Sequence, residues 1–277
     1  MNLNELSSEE YERFCSLIYK VAGIRIPPTK RVMVSNRLRR RLRATGIESF
    51  AEYYNHLMST SGAAEMPLFL DEMTTNETYF YRDIHHFDWL TQSFFPEQIE
   101  LGRVRKRPRS LRIWSAAAST GEELYSIALR LAPFRPQLAG WSLTLLGTDL
   151  SGAVLASARA GAYDERAVRL VGPEDRQKYF DQDSKTHKWV VKEEIRSMAR
   201  WKIHNLMTPL REDAFDCVFI KNVLIYFDAR SKQAVVKNLI ASLAKGGYLV
   251  VGPTEGIYSM LDPLEKIKPW LYRRPAA

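Results

Sequence analysis

The chain has 277 residues, 45% of them hydrophobic, with 40 Lys and Arg against 32 Asp and Glu and a formal net charge of +8. No apolar run reaches the roughly 18 residues a membrane span needs, and the polar start MNLNELSSEEYERF carries no signal-peptide core. Cys15 and Cys217 sit in apolar-periodic segments and read as reduced core residues of a cytoplasmic protein, and five histidines without ligand spacing argue against a metal site.

The first hundred residues read as helices. Ser7 or Ser8 caps a segment whose Tyr11, Phe14, Leu17, Ile18 and Val21 repeat at helical spacing, and Gly23 ends it. Pro27-Pro28 opens a second helix, about 29–45, closed by Gly46, with Val32, Leu38 and Leu42 as its buried stripe. This helix is the most basic part of the chain. Lys30, Arg31, Arg37, Arg39, Arg40, Arg41 and Arg43 fall within fourteen residues with no acid among them, which suggests an anionic partner. Ser49 caps a third helix, Met66 to Met73 mark a fourth, and His85 to Leu90 lie on another.

A basic, proline-broken stretch then marks a boundary: 1–90 form a helical domain, 91–110 a linker and 111–277 an α/β domain. Its cluster of Arg103, Arg105, Lys106, Arg107, Arg109 and Arg112 reads as a solvated linker. Beyond it strands (111–115, 142–148, 215–220, 247–252) alternate with helices (120–132, 151–160, 229–244). That alternation predicts a doubly wound, mostly parallel sheet. Residues from about 163 to 203 break the rhythm and read as a small antiparallel β-subdomain, returning to the main sheet near Ile203. Leu264 to Arg273 reads as a hairpin at the sheet edge.

The most informative segment is LRIWSAAASTGEELYS, 111–126. A short apolar strand runs through a loop of very small residues straight into a helix. In an open α/β sheet ligands bind at the carboxyl ends of the strands, and small residues let the backbone come close to them. The loop is neither G-x-G-x-x-G nor G-x-x-x-x-G-K-[ST], which weakens a phosphate-cradling reading. The second strand ends at Gly147-Thr148-Asp149, where a carboxylate can accept from both hydroxyls of a ribose or can cap the next helix.

Together T-N-E-T-Y-F-Y-R (75–82), W-S-A-A-A-S-T-G-E-E-L-Y-S (114–126), G-T-D-L-S (147–151), K-N-V-L-I-Y-F-D (221–228) and G-G-Y-L-V-V-G-P-T-E (246–255) closely resemble the chemotaxis receptor methyltransferases, the CheR family. The resemblance covers nearly the whole chain. It implies a Rossmann-like SAM-dependent methyltransferase sheet behind a small all-helical N-terminal domain, with S-adenosyl-L-methionine (SAM) across the strand ends. It implies methyl transfer to receptor glutamates by a cytoplasmic, monomeric enzyme. For the cofactor it implies Asn76, Thr78 and Arg82, with Glu122 rather than Glu123 at the methionine ammonium. Asp149 would hold the ribose, Asn205 and Leu206 would frame the adenine, and Lys221 and Asn222 would lie beneath the methionine portion. Tyr226 would stand near the methyl group. Arg82 and Tyr226 would position the reactants, with Tyr79 and Phe80 helping to close the space, and no residue would transfer a proton. Lys30, Arg37, Arg39, Arg40, Arg41 and Arg43 would dock an acidic receptor helix, with Lys30, Arg37 and Arg43 foremost, and the β-subdomain would be the place for a receptor C-terminal tail. The chain departs from the family pattern at Lys221, where arginine is usual, and at Leu124, where proline is usual. The lysine puts side-chain recognition there in doubt, since the two cations are not interchangeable at bidentate sites.

Two other functions remain to be separated from this one. A nucleic-acid methyltransferase would suit the basic clusters, but the fourth strand exits as Lys221-Asn222-Val223-Leu224, not as N-P-P-Y or D-P-P-Y, and no RNA-binding signature is present. A non-catalytic SAM-responsive module would keep the cofactor residues and lose turnover.

Overall fold

The computed structural model describes residues 5–276. Four helices form the first unit: α1 (Ser8–Ala22), α2 (Arg31–Thr45), α3 (Phe50–Met58) and α4 (Glu65–Met73). Ser7 and Glu10 close a reciprocal capping box at the start of α1, and Gly23 ends it at φ 72°. Phe14, Tyr53 and Phe69 are fully buried and meet with ring centroids 6.0 to 6.3 Å apart. Truncating such an aromatic to alanine costs about 3–5 kcal/mol.

The buried stripe of α2 is Val34, Leu38 and Leu42, and Val32 is 73% exposed. Two residues along a helix is a turn of about 200°, so both valines cannot face the core, and Val34 is the one four residues from Leu38. The same phase turns Arg41 inward beside Leu38 and Leu42. Its guanidinium grips buried Glu65 with two bonds of 2.9 Å, and Tyr53 donates to the same carboxylate.

The segment expected to be a linker is structured. After α5 (Ile84–Trp89) a single π-type turn leads into α6 (Phe95–Arg103). Phe80, Phe87, Leu90, Phe94 and Phe95 are buried in the same core as β1 (Ser110–Ala116) and α7 (Glu122–Leu131). By packing, the division therefore falls near residue 75. The helical unit has a separate core ending at Met73.

The main sheet continues through β2 (Ser142–Asp149), followed by α8 (Gly152–Ala160). A small sheet interrupts it: β3 (Ala162–Tyr163), α9 (Glu165–Val168), α10 (Pro173–Tyr179), β4 (Phe180–Gln182), β5 (Trp189–Val191) and α11 (Glu193–Arg196). Its three strands are antiparallel in the order β3-β5-β4. The excursion ends earlier than expected, because β6 (Ala199–Ile203) pairs in parallel with β2 as an edge of the main sheet. Then come β7 (Phe215–Ile220), α12 (Ala229–Ser242), β8 (Leu243–Val251), β9 (Glu265–Lys268) and β10 (Leu271–Arg273). The sheet order is β6-β2-β1-β7-β8-β10-β9, with the last two strands forming the expected antiparallel hairpin. The chain leaves β1 toward β2 and β6, then returns to β7 on the other side of β1. That reversal opens a crevice at the carboxyl ends of β1 and β7, where open α/β sheets hold ligands. Among the described residues no helix is long and apolar enough to cross a membrane.

Candidate active site

The loop after β1 is tightly determined. Ala117 and Ser119 both have positive φ, 59° and 50°, a left-handed conformation costing about 1–2 kcal/mol per non-glycine residue. The Ala118 amide donates to the Thr148 carbonyl, and the Ser119 amide donates to Asp149 Oδ2 at 2.9 Å. Gly121, at φ 98°, admits the ring of Trp201, which a Cβ would meet at 2.8 Å. Strain held by surrounding structure is common at functional sites. Tyr81, Asp83 and Asn222 share positive φ, so the segment around Arg82 and the exit of β7 are held the same way.

These segments and the helical unit enclose a cavity of about 550 Å³. Its floor is the strand tips: Ala117 to Ser119, Asp149, His204 to Leu206, and Lys221 to Val223. Its side is the crossing segment Met73 to Tyr79 with Arg82. Its roof comes from the helical unit: Ala22, Ile24 to Pro27, Lys30, Met33 and Arg37. Ile225 and Tyr226 stand at the mouth, 46% and 37% exposed.

Asn76, Thr78, Arg82, Asp149, Asn205, Leu206, Lys221, Asn222 and Tyr226 all line this cavity, as do Lys30 and Arg37. Asp149 is buried, and its two oxygens accept from the Ser119 and Ser151 amides at 2.9 and 3.0 Å. Burial nonetheless pushes its pKa above the usual carboxylate value, against those amide bonds. Each oxygen keeps further acceptor capacity. Arg82 donates to the Glu77 carbonyl at 3.0 Å and lies 5.7 Å from the Tyr79 ring centre. The Asn205 amide donates to the Val21 carbonyl and accepts from the Met207 amide, tying the floor to the roof. Two polar atoms on lining residues, Asn222 Oδ1 and His204 Nε2, are buried without a hydrogen-bond partner among the described residues. Buried polar groups are normally paired, so these two are exceptions within the cavity wall.

The structure moves four expectations. Glu123, not Glu122, is on the cavity wall. Neighbours in a helix's first turn point about 100° apart, and Glu122 turns into an adjoining hollow beside Tyr163 and Asp164, which shares the wall of Asn76 to Thr78, and is bonded by the Thr120 hydroxyl. Burial pushes the Glu122 carboxyl up. Glu123 accepts from Ser115 Oγ at 2.7 Å. Phe80 is fully buried against Tyr163 and Phe180, away from the cavity. The Lys221 ammonium does not project freely: it donates to the Arg82 carbonyl and sits 3.2 Å from Asp83 and 3.6 Å from Glu123. The α2 arginines divide. Arg41 is consumed by Glu65 and Arg40 by Glu72. Arg37 donates to the Met73 carbonyl at 2.6 Å and to Thr75 at 3.2 Å, while Lys30, Arg39 and Arg43 meet no acid among the described residues.

Sequence reasoning missed the roof segment Ile24 to Pro27 and gave His204 no role, while Ser119 lies in the small-residue loop it singled out. The roof carried no motif; its one signal was the short stretch between Gly23, which ends the first helix, and Pro27-Pro28, which opens the second.

Two family models cover the chain in the same order as the structure. The CheR methyltransferase all-alpha domain matches residues 9–74, and the CheR methyltransferase SAM binding domain matches 76–271. The chain belongs to the CheR methyltransferase family. It is 35% identical to a probable chemotaxis protein methyltransferase of Rhizobium etli, covering 87% of this chain and 90% of that one. It is 34% identical to a chemotaxis protein methyltransferase of Salmonella typhimurium, covering 92% and 86%, and 32% identical to one of Borreliella burgdorferi, covering 99% and 96%. The boundary between the two CheR domains, at residue 75, coincides with the change of core. The cavity is thus bounded by both domains of a CheR methyltransferase, with the SAM-binding domain supplying the floor.

Proposed function

We propose that this CheR methyltransferase transfers a methyl group from S-adenosyl-L-methionine to glutamate side chains on the helical cytoplasmic domains of chemoreceptors, forming methyl esters, and that it works as a cytoplasmic monomer. One observation carries the reading: a cavity at the switch point between β1 and β7, with a carboxylate at its β2 corner and a cationic roof.

When bound, S-adenosyl-L-methionine supplies a methyl group on a positively charged sulfur. The chain's residues divide the remaining work. Asp149 offers free lone pairs to a ribose diol. Glu123 offers a carboxylate to the methionine ammonium, a charge-assisted contact of the stronger kind. Asn205 and Leu206 frame the base, and Lys221 and Asn222 lie beneath the methionine portion. Asn76, Thr78 and Arg82 close the side. No general base is needed, because a glutamate carboxylate ionises near pH ~4.3 and is already charged at neutral pH. What remains is alignment, which can supply about 7–11 kcal/mol, and exclusion of water, for which Tyr79 and Tyr226 are placed. Lys30, Arg39 and Arg43 carry the free charge for an acidic helix, chiefly as steering. A receptor C-terminal peptide is assigned to the small sheet, whose edge strands are β3 and β4.

Incubating the protein with methyl-labelled donor and receptor fragments should give label released as methanol by base. Base-stable label, or label in RNA only, would overturn the assignment. Calorimetry with receptor tail peptides tests the small sheet separately.

A further inference from the structure

The acid that closes the last family-like motif, Glu255, lines no part of the cavity and is fully buried. Its carboxylate accepts from three successive main-chain amides, those of Asn222, Val223 at 3.2 Å and Leu224 at 2.7 Å. These amides belong to the exit loop of β7, which starts with Asn222 at φ 60° and ends in a single 3-10 turn, Leu224–Tyr226. Thr254 accepts from the Asn222 side chain at 3.4 Å, and Lys232 fixes the Glu255 carbonyl at 2.6 Å. At the loop's other end the Arg25 amide donates to the Tyr226 carbonyl at 2.8 Å. The loop is thus clamped from inside by one carboxylate and from above by the helical domain. Between the clamps it presents Asn222, Ile225 and Tyr226 to the cavity.

We propose that Glu255 is a positioning residue of the transfer reaction, setting the conformation in which the β7 exit loop holds Asn222 and Tyr226 against the reactants. This rests on the methyltransferase reading above. Three amides converging on one buried acceptor leave the loop little freedom, and an unsatisfied buried amide is expensive. A misplacement of about 1 Å remote from the chemistry can cost about 100-fold in rate.

Glu255→Gln tests it, because the amide nitrogen it introduces faces main-chain donors. The active-site concentration is titrated with S-adenosylhomocysteine, and turnover is measured per titrated site. We expect kcat per site to fall by tenfold or more while KM for the receptor fragment stays within about threefold. A residue that only holds the fold would lower the number of titrated sites and the melting temperature, with kcat per site unchanged, and that result would overturn the proposal. Amide exchange on the wild-type protein needs no variant. The amides of 222–224 should be protected like those of β7, and exchange at the rate of an open loop would also overturn it. A wild type that binds no S-adenosylhomocysteine would remove the methyltransferase reading instead, and the exchange result would still report on the clamp.

Discussion

The floor and the roof of the cavity are built on opposite principles. The floor is strand tips and strained loops whose charged groups are buried and already bonded, Asp149 to two amides and Lys221 to a carbonyl and two carboxylates, and behind them Glu255 is bonded to three amides. The roof is the start of a helix and the loop before it, and Lys30 and Arg25 there are exposed. A preorganised floor suits a reaction that needs alignment without proton transfer. An exposed cationic roof suits recruitment of a partner that must come and go. The contrast predicts that damage to the floor appears in cofactor binding and turnover, and damage to the roof in receptor affinity.

The sharpest break of that contrast is at Asp149. Replacing it with alanine removes the acceptor for two loop amides as well as the proposed ribose ligand. We expect affinity for S-adenosylhomocysteine, measured by calorimetry, to fall about 100-fold, or ~2.7 kcal/mol. Receptor binding measured by co-sedimentation should change far less. Equal losses in both would erase the distinction between floor and roof.

The packing behind the floor has a second consequence. His86 is fully buried behind Lys221, its ring tilted against Trp270 at 4.4 Å between centroids, with neither ring nitrogen bonded among the described residues. Burial, and then the Lys221 charge, push its pKa down to about 2. The unfolded chain takes up this proton near pH ~6.5 and the folded chain does not, so stability is fully present above that pH and falls as pH drops below it. Between pH 6.5 and 5.0 this one group should remove about 1.6 kcal/mol. Urea unfolding at the two pH values measures it, and His86→Phe should abolish that share of the difference.

How much of this could be read from the sequence depended on whether one element or two were involved. Asp149 was legible because a strand tip followed by a capped helix is a local pattern. The β9–β10 hairpin and the alternating sheet were legible for the same reason. Glu122 against Glu123 was not, since the choice is a matter of about 100° of helix phase fixed by how α7 lies on the sheet. The inward turn of Arg41 and the exposure of Val32 are the same kind of fact. Lys221 looked like a weakened ligand because its partners, Asp83 and Glu123, lie far away in the chain. Glu255 was visible as the end of a motif, but its task depends on a loop more than thirty residues earlier. Residues 91–110 read as a linker because charge and proline hid a turn that buries Phe94 and a helix that buries Phe95, Gln98 and Gly102.

The smallest expected effect is the most discriminating, because it sets two basic regions against each other. The 103–112 stretch has as much charge as the roof. There Arg107 is paired with Asp216, Arg112 lies by Glu212 and Arg103 by Glu100, which leaves Arg105, Lys106 and Arg109 exposed. None of them lines the cavity. Reversing Lys30 and Arg25 to glutamate should raise KM for the receptor about tenfold at low salt, with the difference shrinking as salt screens it. Affinity for S-adenosylhomocysteine should stay within about twofold. Arg37 is unsuitable for this pair, because it also braces Met73 and Thr75 at the entry to Asn76, and Arg37→Glu should weaken both ligands. The same double reversal at Arg105 and Arg109 changes net charge equally and should leave both constants within about twofold. If it matched the roof variant, total charge rather than its position over the cavity would govern recruitment, and the cationic roof would lose its assigned role.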